Sequence, residues 1–71
     1  MNTDIKIKLG KRIKALRVKR KMTQEELAAT AEIDYKYLQT IEGKNPPNVK
    51  IETIEKLSKA LKTSPAKLLD F

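Results

Sequence analysis

The chain has 71 residues, with no cysteine and no histidine, and 16 Lys and Arg stand against 9 Asp and Glu for a formal net charge of +7 at pH 7. These residues make one domain, near the lower end of what buries its own core (roughly 60% of the unfolded chain's surface), and leave no room among them for a separate catalytic or effector domain. Without cysteine there is no disulfide or thiolate metal site, without histidine the commonest general base and metal ligand is gone, and the surplus of cations points to a polyanionic partner, because Lys and Arg beside phosphates release condensed counterions.

Residues 1–3 are expected to fray. From about Asp4 to Arg20 the residues Ile5, Leu9, Ile13 and Leu16 recur at a 4-4-3 spacing, which predicts a first amphipathic helix with that stripe inward. Asp4 suits its positive N-terminus, and Lys19, Arg20 and Lys21 suit its negative C-terminus. Nine of the basic residues lie between Lys6 and Lys21, so this helix carries much of the protein's field. Ile7 and Val18 fall off the stripe and are expected at the surface. No apolar run approaches the ~20 residues of a membrane span and no signal-peptide core opens the chain, so a soluble cytoplasmic protein is the expectation.

The stretch Met22–Lys44 organises everything else. Thr23 and Glu26 have the spacing of a capping box, with Met22 and Leu27 placed as a hydrophobic staple around it. A second helix is thus predicted from Gln24 to about Thr30. Asp34 is a further N-cap candidate and opens a third helix, Tyr35 to about Glu42, stopped by Gly43. The two share a tight turn at Ala31, Glu32 and Ile33. Leu27, Ala28 and Ala31 form one apolar face, Leu38 and Ile41 another, and the small Ala28 lets the two helices cross closely. That is a helix-turn-helix, whose second helix keeps its outer face free for a DNA major groove. On that outer face stand Tyr35, Lys36, Gln39 and Thr40.

Lys44, Asn45, Pro46, Pro47 and Asn48 form a polar loop with two residues unable to donate a backbone hydrogen bond. Ile51, Ile54, Leu57 and Leu61 then predict a fourth helix, about 51–61, with those residues on its inner face and Lys50 a poor N-cap. Ser64 and Pro65 read as N-cap and first residue of a last helix, about 65–70. Leu68 and Leu69 are expected inward there, and the terminal Phe71 either closes the core or forms half of a dimer contact.

Three pieces in this order and spacing, TQEELA at 23–28, YLQTIEG at 37–43 and IETIEKLSKAL at 51–61, closely resemble the phage-repressor and Cro-type helix-turn-helix regulators, the XRE family. The resemblance spans nearly the whole chain and implies an all-α, five-helix, lambda-repressor-like DNA-binding domain over residues 1–71. It implies base-edge contacts from Tyr35, Lys36, Gln39 and Thr40: Lys36 suits guanine O6 or N7, Gln39 suits adenine, Thr40 offers a hydroxyl or meets a thymine methyl, and Tyr35 suits a thymine methyl or a phosphate. Phosphate contacts are implied for Gln24, Arg17 and Tyr37 and for Lys44, Asn45 and Asn48 in the loop, with the alternative for Tyr37 that its hydroxyl packs toward the backbone. Arg17 and Glu42 stand where the family has a partly buried ion pair tying the first helix to the recognition helix. Lys21, Glu32 and Lys62 stand where the family usually has glycine, so each is expected to carry a left-handed backbone at a cost on the order of 1 kcal/mol.

The function that follows is a sequence-specific, double-stranded-DNA-binding transcription regulator. One recognition helix covers few base pairs, so two copies are expected to read a palindromic operator as a homodimer, joined through residues 51–71 around Leu69 or Phe71. The alternative is a protein-interaction adaptor that uses the fold as scaffold. An enzyme is not indicated, since no nucleophile–base pair, metal-ligand cluster or phosphate-cradling loop is present, and neither a cofactor, a small-molecule ligand nor a membrane is implied.

Overall fold

Five helices account for the regular structure in the computed structural model, which describes residues 4–71: α1 (Ile5–Lys19), α2 (Gln24–Ala31), α3 (Tyr35–Ile41), α4 (Ile51–Ala60) and α5 (Pro65–Leu68). The fold is all-α, and the expected fraying of residues 1–3 lies outside the described residues. Local chemistry sets the starts. Asp4 caps α1 by accepting from the Lys6 N–H at 2.9 Å. At α2 the capping box is complete: the Thr23 hydroxyl accepts from the Glu26 N–H at 3.0 Å and the Glu26 carboxylate accepts from the Thr23 N–H at 2.8 Å. The Ser64 hydroxyl accepts from the Lys67 N–H ahead of Pro65 in α5, whereas Lys50 gives α4 no side-chain cap.

The stops are less conventional. Lys21, Glu32 and Lys62 sit at φ of 58°, 59° and 56°, so the three left-handed positions are filled by long charged side chains where glycine would be free of strain. Gly43, which follows the end of α3 as expected, has no positive φ. Its use is steric, because a Cβ there would lie 3.1 Å from the Gln39 carbonyl oxygen.

The core gathers Leu9 and Ile13 of α1, Leu27, Ala28 and Ala31 of α2, Leu38 and Ile41 of α3, Ile54 and Leu57 of α4, then Leu61 and Leu68. α2 packs on α3 and α4, and α1 packs on α3 and α5, so α1 spans the molecule from the recognition helix to the last helix. Gly10 makes the α1–α3 contact possible: a Cβ there would lie 2.3 Å from the carbonyl oxygen of Ile41. Three expectations about burial fail at the edges of this core, at Ile5, Ile51 and Leu69. Ile5 is 63% exposed and Ile51 is 80% exposed, each the first residue of its helix and so beyond the neighbouring layer, while Leu16 is half-buried and packs against the core. Leu69 is 41% exposed because α5 ends at Leu68 and Leu69 is its C-cap; Phe71, beyond it, is exposed and does not close the core. Ile7 and Val18 are at the surface as their position off the stripe predicts.

Candidate nucleic-acid interface

The geometry begins at the turn between α2 and α3. Glu32 turns the chain back with its left-handed backbone, and the Ile33 N–H donates to the Ala28 carbonyl at 2.9 Å, closing α2. Asp34 then caps α3 through the Lys36 N–H at 3.0 Å. Leu38 and Ile41 are fully buried, and this fixes the rotation of α3 about its own axis. Tyr35, Lys36, Gln39 and Thr40 are consequently all exposed. They are not independent. The Gln39 amide donates to the Tyr35 hydroxyl at 3.1 Å, one turn away, and the Thr40 hydroxyl donates to the Lys36 carbonyl at 2.9 Å. Tyr37 is half-buried and packs against the core.

Beside this face lies a polar knot. Arg17 and Glu42 meet as a two-pronged pair, Nε to Oε2 at 2.9 Å and Nη2 to Oε1 at 3.0 Å, with side-chain exposures of 12% and 2%. Nη1 of Arg17 donates to the Met22 carbonyl at 2.8 Å, just ahead of the α2 cap. The Gln24 amide donates to Glu42 Oε1 at 3.1 Å. One carboxylate therefore gathers α1, the N-terminus of α2 and the C-terminus of α3, and it sets the recognition helix against the end of α2 where helical N–H groups favour a phosphate. Among the described residues no buried side-chain nitrogen or oxygen lacks a hydrogen-bond partner.

Lys44, Asn45 and Asn48 are exposed on the loop after α3, which is anchored by the buried Pro46. A shallow hollow of about 390 Å³ lies between Lys44, Gly43 and the α1 residues Ile7 and Lys11. Lys11 thus joins the loop cation on the α3 side of α1, a neighbour that one-dimensional spacing does not reveal. Two other members were missed as well. Gln24 supports Glu42, which its expected phosphate contact does not anticipate, and Gly10 carries the close approach of α1 to α3. A lone glycine inside an otherwise helical pattern, next to the stripe residue Leu9, is the signal that could have flagged Gly10.

The pattern of a helix-turn-helix domain family matches residues 10–70. The control protein C.BamHI of Bacillus amyloliquefaciens is 38% identical over 72 residues, covering 100% of this chain and 88% of that protein. The restriction-modification controller protein C.AhdI of Aeromonas hydrophila superposes with a TM-score of 0.83 at 33% identity, over 89% of this chain and 94% of that one. The controller C.Esp1396I bound to a 19-base-pair DNA duplex superposes with a TM-score of 0.85 at 31% identity, over 96% and 89% of the two chains.

Proposed function

This chain belongs to the helix-turn-helix domain family of XRE type, and on that premise we propose that it is a sequence-specific regulator of transcription that binds an operator in double-stranded DNA as a homodimer, in the cytoplasm. The observation that carries the reading is the division of α3: Leu38 and Ile41 are fully buried while Tyr35, Lys36, Gln39 and Thr40 face outward together. A scaffold needs only the first half of that arrangement. The second half supplies donors and an apolar body for base edges in the major groove. In this reading Gln24, Lys44, Asn45 and Asn48 hold phosphates and set register, and the exposure of the loop residues and the nearness of Lys11 to Lys44 support it. Arg17 orients this frame through Glu42, and the half-buried Tyr37 supports α3 from below.

The homodimer rests on the apolar residues the core leaves outside. Ile5, Leu69 and half-buried Val49 line one hollow together with Leu9 and Ile54. Ile51 lies one turn ahead of Ile54, and Phe71 follows Leu69. A face of this kind on a chain of net charge +7 suits a second copy, since its near neighbours Asp4, Lys6, Lys50, Glu52 and Asp70 balance in sign closely enough for self-contact. The region 51–71 is thereby extended to include Ile5 and Val49.

Protection of duplex DNA from upstream of the protein's own gene tests the proposal, read with sedimentation on single and paired half-sites. We expect protection of two inverted half-sites about one helical turn apart, bound by two chains. Binding that shows no sequence preference, or one chain on one half-site regardless of spacing, overturns it.

A further inference from the structure

A second basic surface lies on the other flank of α1. Arg12, Lys19 and Arg20 of the α1 segment face Lys62 and Lys67 across a cleft of about 430 Å³ between α1 and the α4–α5 turn. Five cations and no acidic residue line it. The arrangement is partly fixed: Nε and Nη2 of Arg12 donate to the Lys67 carbonyl at 3.2 and 3.0 Å, which pins the guanidinium on the cleft wall and leaves Nη1 free. Lys62 follows the end of α4 at a φ of 56°. Like charges gathered around one cleft repel, and an anion in the cleft relieves the repulsion.

The cleft is distinct from the reading face. α3 packs on one side of α1 and α5 on the other, and Lys11 turns toward α3 while Arg12 and Lys19 turn toward α5. Its inner end is Arg20, the C-cap of α1, four residues ahead of Gln24 in the chain. Its floor offers little to an acidic peptide, which needs apolar anchors: Leu61 is fully buried and Leu16 half-buried.

We propose that this cleft takes the phosphate backbone of the DNA flanking the operator, beyond the base pairs read by α3. The inference rests on the DNA-binding reading above and extends the footprint outward from Gln24 along Arg20 and Lys19 to Lys62 and Lys67. The test compares wild type with the Lys19→Gln/Lys67→Gln double variant, neither residue belonging to the reading face. Both proteins are titrated on two duplexes carrying the same operator, one ending at its edges and one extended by a helical turn on each side, over a range of salt. Wild type should bind the long duplex several-fold more tightly and with a steeper salt dependence, by about 0.9 in the log–log slope for each added phosphate contact. The double variant should lose that surplus on the long duplex and match wild type on the short one. Equal loss on both duplexes would reduce the effect to general charge and overturn the inference, as would no loss on either. Sequence-independent binding by wild type on both lengths would instead sink the operator reading itself. Unchanged thermal unfolding of the variant excludes a folding defect.

Discussion

The Glu42 knot and the outer face of α3 use similar polar side chains for opposite ends. In the knot Arg17, Gln24 and Glu42 are locked to one another and nearly sealed from water, with the glutamate side chain only 2% exposed. On α3 the polar groups bond within their own helix, Gln39 to Tyr35 and Thr40 to Lys36, and stay exposed. A sealed polar group holds geometry, and losing its partner leaves an uncompensated buried charge. An exposed one adds little to the fold and keeps its hydrogen-bonding capacity for a ligand. Stability and specificity should therefore separate cleanly between the two regions.

The largest effect expected is in the knot. Arg17→Ala strands the Glu42 carboxylate and should lower stability by on the order of 3 kcal/mol, seen as a drop in the unfolding midpoint. The Arg17→Met/Glu42→Leu double variant should lose far less than the two single changes added together. A double loss equal to the sum would mean that the two groups do not act as a pair.

Gly10→Ala tests the same frame from its apolar side. A Cβ 2.3 Å from the Ile41 carbonyl oxygen must push α3 away from α1, at about 2 kcal/mol of stability. Operator affinity should fall with it, because the contact lies at the C-terminal end of α3 beside Glu42; chemical denaturation and DNA titration measure the two. Unchanged stability would mean that the helices separate freely.

On the reading face the sign of the comparison reverses. Lys36→Ala or Gln39→Ala should cost roughly 1–3 kcal/mol of binding on the preferred operator and relax the base preference there, with the unfolding midpoint unmoved. Gln24→Ala, which belongs to both regions, should weaken every sequence alike and also cost stability. A binding selection in which Lys36→Ala lowers all affinities equally would place base reading elsewhere.

Glu32→Gly is the smallest change and touches neither network. Residue 32 sits at φ 59°, so glycine removes steric strain while loosening the unfolded chain, and the net gain should stay below about 1 kcal/mol. A falling midpoint would show that the Glu32 side chain contributes a contact that offsets its strain.

The local signals in this chain were written in short-range chemistry, which is why they could be read in one dimension. The capping box at Thr23 and Glu26, the caps at Asp34 and Ser64, and the stripe Leu27, Ala28, Leu38 and Ile41 depend on neighbours within a turn or two, and the observed helices follow them. The left-handed positions at Lys21, Glu32 and Lys62 were legible through the family's glycines, and the outward set Tyr35, Lys36, Gln39 and Thr40 through the burial of Leu38 and Ile41. What tertiary structure alone decided lies where distant segments meet. Periodicity places Ile5, Ile51 and Leu69 on inner stripes, but a stripe is buried only as far as another helix covers it, and at the helix ends none does. Gly10 is an unremarkable glycine until Ile41 is brought against it, and Gln24 gains its second role only when Glu42, 18 residues on, arrives within 3.1 Å. Lys11 and Arg12 are adjacent in sequence; the packing of α1 on both α3 and α5 puts the first beside Lys44 and the second beside Lys67.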